Sequence, residues 1–82
     1  MNAEGRMETE TLKQRVSEAI RSIDETHRVP YVADIFRELI QRVVSLRYHA
    51  YQLGNYANAN NVPAMRRELV MILDWLENHP DA

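Results

Sequence analysis

Residues 31–53, YVADIFRELIQRVVSLRYHAYQL, carry the longest helical repeat of apolar residues in the chain. Seven of these residues alternate at spacings of four and three, which places them on one face of a helix. They are Val32, Phe36, Leu39, Val43, Leu46, Ala50 and Leu53. Ile35 widens this face on one side, and Ile40, Val44 and Tyr51 form a second apolar flank on the other. We therefore predict one long central helix that packs against a neighbour on each side.

A narrower apolar stripe precedes this segment and predicts a first helix. The helix begins near Thr9 or Thr11, because Thr11 and Gln14 have the spacing of a capping box. Its stripe consists of Leu12, Val16, Ala19, Ile20 and Ile23. Pro30 separates this helix from the central one, since proline has no N–H group and suits only the first turn of a helix.

The sequence GNYANANN, from Gly54 to Asn61, predicts the end of the central helix and a turn. Gly54 is the predicted stop, because glycine commonly ends helices, and asparagine favours turns and caps. Asn60 or Asn61 is the predicted N-cap of a third helix, which has Pro63 in its first turn and ends near Glu77. Its apolar stripe consists of Met65, Leu69, Ile72 and Leu76.

These patterns predict an all-α protein, a three-helix up-down-up bundle whose long second helix lies between the other two. Residues 9–79 form the single predicted domain, residues 1–8 are a disordered N-terminal end, and residues 80–82 are a C-terminal tail. A chain of 82 residues is near the lower limit of what one hydrophobic core supports. We therefore expect self-association.

Composition and motif content argue against several classes of protein. The chain has no cysteine, so it forms neither a disulfide nor a thiolate metal site. It has no Gly-rich phosphate loop, no His-Glu-x-x-His motif and no carboxylate cluster with metal-ligand spacing, so we predict no enzymatic activity, cofactor or metal. The longest apolar run, Leu69 to Leu73, is far shorter than the ~20 residues that span a bilayer. Residues 1–10 lack the apolar core of a secretion signal, so we expect a cytoplasmic protein.

Arg42 and His49 lie seven residues apart and share a face of the predicted central helix. This Arg-x6-His spacing resembles the motif of the HEPN superfamily, helical ribonucleases in which Arg and His meet across a dimer. The resemblance implies that His49 is the acid or base at the scissile phosphate and that Arg42 stabilises the developing charge. Val43 stands where that family often has a polar residue, and the chain is short for the fold. We prefer the interpretation that both are solvated residues beside the apolar stripe.

Arginine residues in the central part of the chain suggest binding to nucleic acid. The candidate contacts are Arg42, Arg47, Arg66 and Arg67. Tyr48 and Tyr56 offer surfaces on which bases could stack. The net charge of −2 does not favour a polyanionic partner, and the loop before the third helix is too long for a helix-turn-helix motif. The competing interpretation is a solvated face with ion pairs.

The third predicted helix has more apolar residues than one stripe can bury. Val70 lies to one side of its stripe, Met71 lies to the other near Trp75, and Tyr48 lies on the polar side of the central helix. Exposed Met and aromatic residues are enriched at protein interfaces, so these four are the candidate partner-binding residues. The competing interpretation is that each lies at the border of a crowded core.

The first hypothesis for function is a small non-enzymatic helical protein-interaction or regulatory module that acts through helix-face packing. Its partner is a second copy, another protein, or both, with the Met71–Trp75 edge at the centre of a homodimer. The alternative is a small nucleic-acid-binding regulator that uses the central arginines. A HEPN-like ribonuclease is the third possibility.

Overall fold

The computed structural model describes residues 9–80, and this part of the chain is helical without strands. Its α-helices are α1 (Thr9–Thr26), α2 (Val32–Arg42), α3 (Arg47–Asn58) and α4 (Val62–Asn78), and a 3-10 turn (Val44–Leu46) lies between α2 and α3. The all-α prediction is confirmed. The prediction of three helices is wrong, because the predicted central helix is two helices. The predicted disordered end and residues 81–82 of the predicted tail lie outside the described residues.

The predicted central helix is interrupted at Val43. This residue has φ −121° and ψ 81°, which is outside the helical region. The ring centroids of Phe36 and Tyr51 lie 6.0 Å apart. An unbroken helix would hold these two residues about 22 Å apart at about 1.5 Å per residue. The segment therefore folds back on itself, and α2 and α3 form an antiparallel hairpin.

Local sequence and packing together explain the position of the break. Val43, Val44 and Ser45 are consecutive residues with modest helix propensity, so little intrinsic stability is lost when the helix stops there. The Arg47 Nε–H donates to the Ile40 carbonyl oxygen at 2.8 Å and satisfies one of the groups that the break exposes. Folding back also lets both halves of the segment face one core.

The ends of α3 and α4 test the predictions made from glycine and asparagine. Gly54 does not stop the helix, because α3 continues to Asn58. The chain turns instead at Asn60, which has a positive φ of 56°. Asn61 is the N-cap of α4, and its side-chain oxygen accepts a hydrogen bond from the Ala64 N–H at 3.3 Å. The predicted cap is thus confirmed, and the predicted stop at Gly54 is wrong.

The hydrophobic core lies where α1 packs against α4 and where α3 packs between α2 and α4. The nine most deeply buried large side chains are Leu12, Val16, Ile35, Leu39, Leu46, Leu53, Leu69, Ile72 and Leu76. Leu39 and Val43, from the stripe of the predicted central helix, are both buried. Val32 and Phe36, assigned to the same stripe, are only partly buried, because α2 turns Ile35 and Leu39 toward the core. Among the helices of residues 9–80, none is long and apolar enough to cross a bilayer.

Candidate protein-interaction surface

An open groove of about 760 Å³ lies between α2 and α3 on the outer side of the hairpin. Its apolar lining consists of Val32, Ala33, Phe36, Ile40, Gly54 and Ala57. Arg37, Gln41 and Asn58 complete the lining. Gly54 and Ala57 lie three residues apart on α3, and neither has a side chain long enough to fill the space beside Phe36. The small residues of α3 therefore create the α2–α3 groove.

Gly54 lies where the Phe36 ring of α2 packs against α3. A Cβ atom built on Gly54 would lie 3.4 Å from Cε1 of Phe36. The glycine, which predicted a helix end, thus lies inside a helix and allows an aromatic ring to pack onto the backbone.

Three exposed apolar side chains of the 3-10 turn and α3 form what we name the α3 ridge: Val44, Tyr48 and Tyr51. Their exposed fractions are 67%, 67% and 55%, and their spacing of four and three places them on one side of the 3-10 turn and α3. The Tyr48 hydroxyl accepts a hydrogen bond from Gln52 Nε2 at 2.9 Å. The Tyr51 ring lies edge-on to Phe36, which joins the ridge to the groove. The ridge therefore meets the groove at the contact between Tyr51 and Phe36.

The partner-binding residues predicted on α4 do not form a comparable surface. Val70 and Met71 are both exposed but point about 100° apart around the helix axis. Trp75 is partly buried against the core, and its ring is stacked on His79 with centroids 3.9 Å apart. Of the four predicted residues, Tyr48 is the one that belongs to the α3 ridge.

A buried acidic residue meets a histidine where α3 packs against α4. Oε1 of Glu68 lies 2.8 Å from Nδ1 of His49, and Glu68 is only 5% exposed. The His49 ring also contacts the Tyr48 ring edge-on at 5.6 Å. A carboxylate that is hydrogen-bonded to one nitrogen of an imidazole fixes the orientation of the ring. In catalytic triads a carboxylate has this role toward the histidine that acts as general base. The same contact also satisfies a buried carboxylate, which is a structural role.

The HEPN-like interpretation required Arg42 and His49 to share one helix face. The break at Val43 lies between them, so that premise is wrong. Arg42 Nε donates to Glu38 Oε1 at 2.6 Å within α2, whereas His49 is paired with α4. The two residues are thus held by carboxylates of different helices.

The four predicted nucleic-acid contacts lie in two separate pairs. Arg42 and Arg47 flank the α2–α3 turn, whereas Arg66 and Arg67 lie in the first turns of α4. In the first pair, Arg42 Nε donates to Glu38 Oε1, and Arg47 Nε donates to the Ile40 carbonyl oxygen. Arg66 donates two hydrogen bonds to Asp24, at 2.7 and 3.1 Å, and Arg67 lies over the Tyr56 ring. Each of the four arginines is therefore already engaged by a carboxylate, a carbonyl oxygen or an aromatic ring of this chain.

The Asp24–Arg66 pair shifts the ionisation of both groups. The hydrogen bond from Arg66 lowers the pKa of Asp24 below its ordinary value, and Asp24 in turn raises the pKa of Arg66. Both side chains are substantially exposed, so the pair is a solvated link between α1 and α4.

The spacing of Ile40, Val44 and Tyr51 predicts a second apolar flank of one helix and does not reveal this surface, on which Val44 and Tyr51 are exposed. A signal was present: the flank crosses Val43, Val44 and Ser45, where helix propensity is lowest in the segment. A second signal was the small pair Gly54 and Ala57, which marks the place where another helix can approach closely.

Comparisons with known proteins do not supply a function. No protein family, curated protein or solved structure matches this chain. Within residues 9–80, no group of three or more histidine or acidic side chains is placed to hold a metal ion. A function must therefore be argued from the surface itself.

Proposed function

We propose that this chain is a small non-enzymatic protein-interaction module that binds its partner through the outer side of the α2–α3 hairpin. The observation that carries the proposal is the α3 ridge beside the α2–α3 groove. A groove between two helices is a common binding site for the apolar face of another helix. Exposed tyrosines supply large contact areas and are enriched among the residues that dominate binding energy.

The three residues of the α3 ridge are not part of the chain's own core. Leu39, Leu46 and Leu53 on the inner side of the hairpin are fully buried without the ridge residues. Val44, Tyr48 and Tyr51 all remain mostly exposed. Exposed apolar patches on monomeric proteins are usually limited to a few hundred Å² and are often functional when larger. A binding role accounts for the adjacent ridge and groove better than solvent exposure does.

The two other functions have weaker support. Nucleic-acid binding would need several cations on one surface, whereas the four arginines lie in two pairs with intramolecular partners. Ribonuclease activity would need Arg42 and His49 to act on one phosphate, and their shared helix face does not exist. Retention on a nucleic-acid column that falls with salt would favour the first of these alternatives over the interaction module.

Site-specific photo-crosslinking tests the proposal in cells. A photoreactive phenylalanine analogue replaces Tyr51 in one variant and Glu18, an exposed residue of α1, in a matched control. We expect a discrete covalent adduct from position 51 and none of the same mass from position 18. The adduct partner, identified by mass spectrometry, should then crosslink to the purified chain at position 51. Equal adduct patterns at both positions would contradict the proposal.

A further inference from the structure

We propose that His49 is a modification site whose Nε2 atom accepts a phosphoryl group from a phosphoramidate, a donor in which phosphorus is bonded to nitrogen. Glu68 is the positioning residue, because it holds the imidazole through the other ring nitrogen. Three observations carry the proposal: the tautomer of the ring, the solvent access of Nε2 and the charges around it. The site lies at the contact between α3 and α4, so it does not depend on what binds the α2–α3 hairpin.

The first observation is the hydrogen bond that fixes the ring. Oε1 of Glu68 lies 2.8 Å from Nδ1 of His49. A carboxylate has no hydrogen to donate, so the neutral imidazole donates its Nδ1–H and keeps the lone pair on Nε2. Glu68 is buried, so the packing of α3 on α4 holds the carboxylate and the ring in place. His49 is thus a nitrogen nucleophile whose reacting atom is set by the fold.

The second observation is that Nε2 reaches the solvent. Within residues 9–80, the hydrogen bond to Glu68 occupies Nδ1, and Nε2 of His49 has no hydrogen-bond partner. In the same part of the chain, every buried side-chain nitrogen or oxygen has such a partner. Nε2 is therefore not buried, in agreement with the 30% exposure of the His49 side chain. A donor can approach Nε2 while Nδ1 stays bonded to Glu68.

The transfer step is balanced without a further reactant. The Nε2 lone pair attacks phosphorus and forms the new N–P bond, while the P–N bond of the protonated donor breaks and its electron pair leaves with the amine. The ring of His49 then carries one positive charge, because Nδ1 keeps its hydrogen. Glu68 lies beside that charge in the position that it occupies before the reaction. A preorganised carboxylate stabilises the charge that develops on an imidazole, as it does in a catalytic triad.

The third observation is the charge around the acceptor. Residues 39–67 contain no aspartate or glutamate, so a phosphoryl group on His49 meets no carboxylate of its own helix. Glu68 contacts the other side of the ring, at Nδ1. Gln52, one helical turn after His49, donates one amide hydrogen to the Tyr48 hydroxyl and keeps a second for a phosphoryl oxygen. These neighbours favour an anionic phosphoryl group over an uncharged acyl group.

Reaction of the purified full chain with potassium phosphoramidate tests the proposal, because the chain contains two internal controls. His27 and His79 are both more exposed than His49, and the His79 ring is hydrogen-bonded to the Trp75 carbonyl oxygen and not to a carboxylate. If exposure alone decided the rate, both would react before His49. We expect His49 to react at least about ten-fold faster than either, a modest part of the ~10⁴-fold effect of a triad carboxylate. Mass spectrometry of alkaline peptide digests, which preserve phosphohistidine, measures the three rates.

Glu68→Gln tests the positioning role, since it keeps the shape of the side chain and removes its charge. It should slow phosphorylation of His49 about ten-fold and leave the rates at His27 and His79 unchanged. Glu18→Gln removes the same charge from an exposed position of α1 and should leave all three rates unchanged. Circular dichroism checks that both variants are folded. The comparison of the three histidines in the wild type needs no variant, so it decides the proposal even without a folded Glu68→Gln.

The other outcomes overturn the proposal in distinct ways. Equal rates at the three histidines, or a slower reaction at His49, would leave Glu68 with the structural role of a satisfied buried carboxylate. A fast reaction at His49 that is unchanged in Glu68→Gln would exclude Glu68 as the positioning residue. Crosslinking at Tyr51 does not involve His49, so the modification site and the proposed function can fail separately.

Discussion

The inner and outer sides of the α2–α3 hairpin come from one stretch of sequence but have opposite environments. Val43 is 6% exposed and Val44, the next residue, is 67% exposed. The two side chains are chemically identical, so hydrophobicity alone does not account for the difference. What separates them is the fold-back at Val43, which turns one valine toward the core and the next toward the solvent. A helical repeat thus identifies apolar faces, but the neighbouring helices decide which face is covered.

The largest expected effect compares adjacent residues on the two sides. Leu39→Ala should lower the free energy of unfolding by about 2–5 kcal/mol, because Leu39 is fully buried and its loss leaves a cavity. Ile40→Ala should cost clearly less, because Ile40 is only partly buried beside the groove. Urea denaturation followed by circular dichroism measures both. Equal losses in the two variants would contradict the assignment of inner and outer sides.

The inner side could be predicted from the sequence, because the spacing of its apolar residues survives the break. Leu39, Val43, Leu46, Ala50 and Leu53 were assigned to one face, and all are buried. The 3-10 turn between α2 and α3 keeps these apolar residues on the inner side of the hairpin. The predicted burial was therefore correct, although the predicted number of helices was wrong.

The break itself could not be predicted with the same certainty. Val and Ser, the residue types at the break, differ in helix propensity from good helix formers by only a few tenths of a kcal/mol per residue. This difference is small beside the free energy of tertiary packing. Gly54 looked like the stronger stop, yet α3 continues through it to Asn58. The groove depends on two helices meeting, so no single-helix pattern reveals it. The exposure of Tyr48 could be predicted, because it lies on the polar side of the predicted helix.

The second prediction uses the two valines at the break. Val43→Ala should lower the free energy of unfolding by about 1–2 kcal/mol, since two buried methyl groups contribute roughly 0.8 kcal/mol each. Val44→Ala should change the stability of the monomer by no more than about 0.5 kcal/mol, as at other exposed positions. Denaturation at low protein concentration keeps any association out of the comparison. A larger loss of unfolding free energy in Val44→Ala than in Val43→Ala would contradict the assignment of Val43 to the inner side and Val44 to the outer side.

The third prediction concerns the place where the two helices touch. Gly54→Ala should raise the free energy of unfolding by about 0.5 kcal/mol, because alanine favours the helix interior by about 0.5–1 kcal/mol over glycine. The added Cβ would lie 3.4 Å from Phe36 Cε1, a contact that the ring tolerates at small cost. Thermal unfolding of Gly54→Ala measures the net effect of the gain in helix propensity and the new contact with Phe36. Ala57→Gly, the reverse substitution on the same helix, is the matched control. A destabilised Gly54→Ala together with a stabilised Ala57→Gly would mean that α3 does not continue past Gly54.

The smallest expected effect lies away from the hairpin, at the exposed Asp24–Arg66 pair between α1 and α4. Arg66 lowers the pKa of Asp24 in the folded state, so the pair stabilises the fold above the ordinary pKa of this carboxyl, 3.8. The contribution is lost as the pH falls through the lower pKa of the folded state, because protonated Asp24 no longer pairs with the guanidinium.

Urea denaturation of the wild type and Asp24→Asn between pH 7 and pH 2 tests this pH dependence. The variant should be slightly less stable at neutral pH, and the difference should shrink below about pH 4 as the wild-type carboxyl takes up its proton. High salt should reduce the difference at neutral pH, because exposed charges are screened. Tyr51→Ser, on the apolar outer side, has no ionisable group in this range, so its difference from the wild type should not change between pH 7 and pH 2. A pH-independent difference for Asp24→Asn would mean that this ion pair does not link α1 to α4 in solution.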